Sequence, residues 1–214
     1  MNQSDLLTNG IANMALTISP QVQEKLLAYL SLLTKWNKVY NLTAVRDPLE
    51  MVTLHLLDSL SVLPHINTKN ILDVGSGGGL PGIVLAICKP ELQVTTVDTV
   101  QKKVIFMRQV KGELDLNNLT PVHTRVESFQ PSEPFEMVIS RAFSEIALFI
   151  ELTKHLIAKN GRWLAMKGVI PTAELAILPM KPSQVMPLHV AGLDAERHLI
   201  IFQNNVNEIG IYKE

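Results

Sequence analysis

The residues best placed to do chemistry lie in one short run, Ile71-Leu72-Asp73-Val74-Gly75-Ser76-Gly77-Gly78-Gly79-Leu80-Pro81-Gly82. An apolar stretch ends in an acid, passes through a glycine-rich turn and meets a proline that marks a helix start. Glycines let backbone approach a ligand closely, and a helix N-terminus presents unpaired N–H groups, so this order builds a nucleotide-type site. A dinucleotide fingerprint, G-x-G-x-x-G, exists as Gly77 to Gly82, but in the wrong register. The strand ends at Val74, so the first turn glycine is Gly75, and the sixth position counted from it is Leu80. A second apolar run, Leu92-Gln93-Val94-Thr95-Thr96-Val97, ends in Asp98. An acid about 20 residues beyond the loop is where a ribose hydroxyl pair is held. Asp73 adds a distinction, because an acid before the first glycine suits a ligand carrying an ammonium group and no phosphates. The plainer readings are a capping acid at Asp73 and the N-cap of the next helix at Asp98.

These groups need a scaffold that brings strand ends together. From Asn70 onward strands and helices alternate. Strands are expected at 70–75, 93–98, 119–123, 135–140, 161–167, 184–190 and 197–203, and helices near 80–88, 100–113, 144–158 and 171–178. Such alternation gives a doubly wound, mostly parallel α/β sheet. Only Ala191-Gly192-Leu193-Asp194 separates the last two strands, so they should pair as an antiparallel hairpin at one edge. Residues 1 to about 66 read as helical. Ser19 precedes Pro20 as an N-cap, and Val22, Leu26, Leu27, Leu30 and Leu33 follow at helical spacing to Trp36. A second helix over Pro48–Leu63 carries Met51, Leu54, Leu57, Leu60 and Leu63 on one face. The division expected is a helical extension over 1–68 packed on a core over 69–214, as one structural unit. The polar tail after Gln203 is expected to be mobile.

Composition limits the function classes. The chain has 214 residues, 47% of them hydrophobic, enough for a sizeable core without disulfides. Its one cysteine, Cys88, lies in an apolar run and reads as a packing residue of a reducing compartment. Neither a signal-peptide core nor an apolar segment of membrane-spanning length appears, so no membrane association and a cytoplasmic location are expected. The six histidines show no metal spacing. With a net charge of −1, the chain lacks the basic balance by which nucleic-acid binders often announce themselves, so RNA contact would need a local patch. Neither a heptad pattern nor an apolar edge strand stands out, and a monomer is expected.

Read from Gly75, the loop gives Asp-x-Gly-x-Gly-x-Gly and resembles motif I of S-adenosylmethionine (SAM) methyltransferases. Further blocks narrow the resemblance: Trp36-Asn37-Lys38-Val39-Tyr40-Asn41-Leu42-Thr43, His55-Leu56-Leu57-Asp58-Ser59, Ser140-Arg141-Ala142-Phe143, Lys167-Gly168 and Glu196-Arg197-His198-Leu199. Together they closely resemble the bacterial RsmG (GidB) family, 16S rRNA guanine N7-methyltransferases acting in the 530 loop of the small subunit. The resemblance covers about residues 20–203. It implies a Rossmann-like class I SAM-dependent fold with a seven-stranded, mostly parallel sheet and an antiparallel edge hairpin. It also implies SAM as cofactor, S-adenosylhomocysteine (SAH) as product, no metal, and 16S rRNA or a small-subunit particle as partner.

Carried over position by position, the resemblance makes Gly75 and Leu80 cofactor contacts, with Asp73, Gly77 and Gly79 shaping the loop and Asp98 on the ribose. Val126 and Glu127 match the adenine side. Arg141 matches a residue lining both cofactor and target, and Arg141 and Lys167 are the candidates for catalysis. Candidate RNA contacts are Asn41, His55, Lys103, Arg125, Lys167 and Arg197, with Lys102 a further candidate on the helix after Asp98, whereas Arg108 and Lys111 read as a solvated helix face. His55 and Asp58, three apart, are expected to pair as a structural tie. Ring nitrogen 7 of guanine carries an in-plane lone pair and no hydrogen, so methylating it needs alignment and water exclusion rather than a general base. Two other readings remain: a small-molecule methyltransferase, and a non-catalytic rRNA-binding assembly factor.

Overall fold

The computed structural model describes residues 2–141, 143 and 145–205. The expected mobile tail beyond 205 lies outside them, as do Ala142 of the Ser-Arg-Ala-Phe block and Ser144. Seven strands form one sheet in the order β3-β2-β1-β4-β5-β7-β6. The strands are β1 (Asn70–Val74), β2 (Gln93–Asp98), β3 (Leu119–His123), β4 (Phe135–Ser140), β5 (Ile157–Lys167), β6 (Gln184–Pro187) and β7 (His198–Gln203). β3 through β5 run parallel, while β7 pairs antiparallel with both β5 and β6. The switch of direction between β1 and β2 on one side and β4 on the other opens the crevice where ligands of such sheets lie.

Strand residues alternate between two apolar layers. Ile71, Met137, Ile139, Leu199 and Ile201 face one layer, and Leu72, Val138, Ile200 and Phe202 the other. The first layer is shared with the N-terminal helices α1 (Gln3–Asn13) and α2 (Pro20–Tyr40), which contribute Leu7, Leu26, Leu30 and Leu33. The other layer packs against α7 (Ile146–Thr153), with Phe149 and Trp163 buried and the Trp163 indole N–H donating to Thr153 Oγ1 at 2.9 Å. The remaining helices are α3 (Pro48–Met51), α4 (Asp58–Leu60), α5 (Gly82–Cys88), α6 (Gln101–Glu113) and α8 (Thr172–Ile177). No helix among the described residues is long and apolar enough to cross a membrane. Cys88 is half-buried, and burial pushes its thiol up to about 12.

The differences from expectation are local. The helix expected over Pro48–Leu63 is interrupted, with a π-helical stretch, Val52–Leu57, between α3 and α4. β5 begins at Ile157, four residues early, because the register shifts against β4 between Phe135 and Met137 and Asn160 takes φ 61. That bulge consumes the C-terminal part of the helix expected over 144–158. The link between β6 and β7 is longer than a tight turn, although Leu188 N–H still pairs with Arg197 O at 2.7 Å. The first helix, α1, has a capping box of Asn2 and Asp5 where the sequence carried nothing distinctive. Both sheet edges are blunted by proline, Pro121 in β3 and Pro187 in β6, which removes a donor where another chain could pair.

The N-terminal helices are part of the site scaffold. Tyr29 on α2 is fully buried and its hydroxyl donates to Gly78 O at 2.8 Å, while Leu33 Cδ1 stands 3.1 Å from where a Gly78 Cβ would be. Burial also drives the Tyr29 hydroxyl above its usual range, so it stays a neutral donor. Tyr29→Phe would leave the Gly78 carbonyl buried without its partner. The expected loss is about 1–2 kcal/mol, read as a lower urea midpoint with an unchanged m-value.

Candidate functional site

The glycine loop is fixed from beneath by two acids at neighbouring strand ends. Asp73, at the end of β1, is fully buried, and its Oδ2 accepts from Gly82 N–H at 2.8 Å. A Cβ on Gly82 would sit 2.8 Å from both Asp73 Oδ2 and Thr96 Cγ2, so only glycine lets α5 begin this close to the sheet. Asp98, at the end of β2, accepts from Gly77 N–H at 2.9 Å and from Val100 N–H at 2.8 Å. Gly75, Gly77 and Gly79 have φ of 69, 59 and 92, and a Cβ at Gly79 would collide with the Ile83 side chain. Helix α5 starts at Gly82, with Pro81 as its N-cap.

Two adjoining cavities open above the strand ends. The smaller, about 170 Å³, is lined by the Gly75–Gly78 backbone with Leu33, Leu42, Thr43, Leu80 and Lys103. The larger, about 390 Å³, is lined by Val45, Leu54, Asp58, Met166, Lys167 and Arg197. His55 and Arg141 line both, and therefore form the wall between them. Arg141 leaves the end of β4, Lys167 the end of β5, and Arg197 precedes β7. The π-helical stretch and α4 bring His55 and Asp58 opposite these strand ends.

Asp58 is the hub of the larger cavity. It is only 2% exposed, and its Oδ2 accepts from Arg141 Nη1 at 3.0 Å and its Oδ1 from Arg197 Nε at 2.8 Å. Arg141 Nη1 also donates to Leu54 O at 3.1 Å. The expected His55–Asp58 tie does not form, because the two side chains turn to different partners. His55 Nε2 instead meets Thr43 Oγ1 at 3.0 Å. Thr43 is presented by a loop that Asn37 staples, accepting from Thr43 N–H at 2.9 Å and donating to Val45 O at 3.3 Å. Burial, reinforced by Arg141, lowers the His55 pKa to about 4, so the ring is neutral at pH 7. Burial also lowers the pKa of Lys167, whose Nζ donates to Phe143 O at 2.9 Å.

The structure gathers some sequence candidates and separates others. Gly75, Gly77, Leu80, His55, Lys103 and Arg141 line the smaller cavity, and His55, Arg141, Lys167 and Arg197 the larger. Asp73, Gly79 and Asp98 shape the loop from behind. Asn41 is exposed in a left-handed helix cap and accepts from Arg46 Nη2 at 2.7 Å. Arg125 and Glu127 pair with each other at 2.5 Å on the surface, while Val126 is buried. Tyr29, Thr43, Leu54 and the double role of Asp58 were missed. The sequence signal for Asp58 was a carboxylate amid apolar helix residues, which without its distant partners read as a tie to His55. Among the described residues, no group of three or more His, Cys, Asp or Glu stands together as a metal site.

Comparison with known proteins matches this chain to one family. The profile of GidB, described as rRNA small subunit methyltransferase G, matches residues 22–200. A protein of Methylobacillus flagellatus named Ribosomal RNA small subunit methyltransferase G is 64% identical over 91% of this chain and 95% of its own length. One of the same name from Aromatoleum aromaticum is 53% identical over 93% and 98%. Among solved structures, an O-methyltransferase of Bacillus cereus in complex with SAH aligns with a TM-score of 0.57 at 16% identity, over 82% of this chain and 90% of that one. The SAM-dependent methyltransferase SibL in its apo form aligns with a TM-score of 0.57 at 14% identity, over 74% and 57%. At such identities the likeness is one of fold.

Burial raises the Asp73 pKa from 3.8 to about 7. The folded state therefore binds this proton more tightly than the unfolded chain. The associated stability is fully present below about pH 4 and is lost as pH rises through 7, amounting to about 4 kcal/mol over that span. In Asp73→Asn this part of the pH dependence should vanish. Chemical denaturation of both proteins at pH 5, 6, 7 and 8 measures it, and parallel curves would contradict the assignment.

Proposed function

The chain belongs to the GidB family of rRNA small subunit methyltransferases G, and from that premise we propose that it transfers the methyl group of SAM to ring nitrogen 7 of a guanine in the 530 loop of 16S rRNA, by in-line displacement without a general base. The observation that carries this reading is the pair of cavities sharing the His55–Arg141 wall, one built from glycine backbone and the other from cations. In this reading the first takes the methionine end of the cofactor and the second a nucleotide, and their junction is where the two reactants meet.

The residues present suit SAM. The open Gly75–Gly78 backbone would hold its amino-acid end, with Leu80 against it. In this reading Asp98 would hold the ribose from the end of β2, where its oxygens also accept from the Gly77 and Val100 N–H groups, and Val126 and Glu127, just after β3, would meet the adenine side. When bound, SAM supplies an electrophilic methyl on a cationic sulfur. The chain orients the two reactants and keeps water out. A base matched to neutral pH is not offered by the described lining of the larger cavity. His55, with a pKa near 4, is too weak, and Lys167 is tied to the Phe143 carbonyl. Nitrogen 7 has no proton to lose, so this lining agrees with that target better than with an amino or hydroxyl group.

The partner in this reading is 16S rRNA, free or within a small-subunit particle, approached through Lys167 and Arg197 of the larger cavity rather than through Asn41 or Arg125, while Lys103 lines the cofactor side and pairs with Asp98 at 3.5 Å. A cytoplasmic monomer is part of the proposal, its monomeric state supported by the two proline-blunted sheet edges.

Incubation with labelled SAM and unmethylated small-subunit particles or naked 16S rRNA, followed by nuclease digestion and mass spectrometry, tests the target. The expected product is 7-methylguanine with its fixed positive charge, and a neutral methylated base would reject the position. At saturating substrates kcat should stay within about twofold between pH 6 and 9, whereas an essential acid and base would give a bell. Gly75→Val puts a branched side chain at a φ of 69 in the cofactor wall. It should abolish measurable SAM binding by calorimetry in a protein that still folds.

A further inference from the structure

Resting on the RNA reading above, we propose that Asp58 is a positioning residue that holds the Arg141 and Arg197 guanidinium groups as a preformed clamp for one phosphodiester of the RNA beside the target base. The two arginines stand at the same edge of the sheet on either side of β5, after β4 and before β7, 83 and 139 residues from Asp58 in sequence. Each is anchored on one side only. Arg141 spends Nη1 on Asp58 and on the Leu54 carbonyl, and Arg197 spends Nε on Asp58 and Nη1 on the Glu196 carbonyl at 2.9 Å. The described residues leave the Nε and Nη2 donors of Arg141 and the Nη2 donors of Arg197 unengaged. The two side chains are 27% and 26% exposed, and both line the larger cavity.

Charge gives the ligand its sign. Arg141 and Arg197 share one carboxylate, Asp58, beside a neutral His55, so the pair of guanidiniums keeps a net positive charge, while Lys167 on the same lining also feels Glu174 and Glu145. A buried carboxylate between two guanidiniums is a poor device for stability alone, since apolar side chains of the same volume usually do as well. It is a good device for fixing two forks at a set angle. A fixed fork matches an oxyanion with two acceptor oxygens. The other partner such a fork favours is the N7/O6 edge of guanine. In the proposed reaction N7 is the nucleophile and must keep its lone pair for the methyl, so the clamp is left for the backbone.

The cofactor's own carboxylate is an oxyanion too. The cavities argue against it as the ligand, because Arg141 borders both but Arg197 borders only the larger, away from the glycine loop. The π-helical stretch before Asp58 contributes as well. Leu54 lies within it, and its carbonyl holds the second edge of the Arg141 anchor.

Asp58→Asn keeps the side chain's shape and halves its acceptors. Methyl transfer to unmethylated small-subunit particles, measured between about 50 and 200 mM KCl, should show KM raised about tenfold with a smaller change in kcat. The slope of log(kcat/KM) against log[KCl] should become shallower by about 0.7–0.9, the weight of one phosphate contact. SAM affinity by calorimetry should be unchanged. Arg197→Gln removes one arm of the clamp and should give the same slope change, and it decides the matter if Asp58→Asn does not fold. Wild-type KM and slope in a folded variant overturn the clamp while the methyltransferase reading stands. Weakened SAM affinity with intact RNA dependence overturns it in favour of the cofactor carboxylate. A wild-type protein that methylates neither RNA form overturns both readings together.

Discussion

Two carboxylates at the ends of adjacent parallel strands capture backbone N–H groups of the turn between them, Asp73 that of Gly82 and Asp98 that of Gly77. The glycine-loop side of the site takes its position from that arrangement. The loop can follow this path only with φ values in the left-handed region, and α5 can begin this close to the sheet only because Gly82 has no side chain. Once the acids have fixed the loop, its outer backbone faces the crevice and its inner face becomes a packing surface. Asp73 is not a wall of either cavity, so its influence on a ligand runs through the loop it holds. Its raised pKa is the electrostatic cost of placing a carboxyl under a helix start, fully buried from solvent.

The helical extension completes what the sheet leaves open. A Rossmann-like sheet provides strand ends on one side of a ligand. Here α2 closes the other side, with Tyr29 and Leu33 against Gly78. Beyond α2, Asn37 orders the loop that carries Thr43 and Val45, and Thr43 in turn orients His55. The Trp-Asn-x-x-x-Asn-Leu-Thr block is thus a structural relay from a helix end to the dividing wall of the site. Its second asparagine, Asn41, caps the helix and ties down Arg46, which is why a residue with the look of an RNA contact stands outside both cavities.

The strands and the glycine loop were legible because their signals are local. β1 to β4 follow apolar runs bounded by acids or turns, and the loop's register could be counted from Val74. The edge hairpin was legible from the shortness of its connection, though the connection proved longer than a turn. The π-helical stretch was not. Apolar residues at Met51, Leu54, Leu57 and Leu60 give the same face to any reading by helical period, and the widening depends on what the stretch packs against. The bulge at Asn160 was hidden likewise, since asparagine is common in turns and only the pairing with β4 reveals the shift. Asp58 illustrates the general limit: its residue type was visible, but its role depends on partners from the far side of the chain.

The sign of the charge in the larger cavity bears on what its cations do. In the proposed transfer, positive charge leaves the sulfur and arrives on the guanine ring, so no anion develops that Arg141 or Lys167 could stabilise. A cation against the reacting ring nitrogen would oppose the charge arriving there. Groups read from the sequence as catalytic therefore act better one step away from the reacting atoms, on the backbone that delivers the base. On the proposed reading, a chain of net charge −1 can serve an RNA substrate. The average over the surface is close to neutral, but Asp58 ties two of its nineteen lysines and arginines into one cavity and Lys167 adds a third. A local excess at the point of entry steers and registers a polyanion without the broad basic face that would bind RNA anywhere.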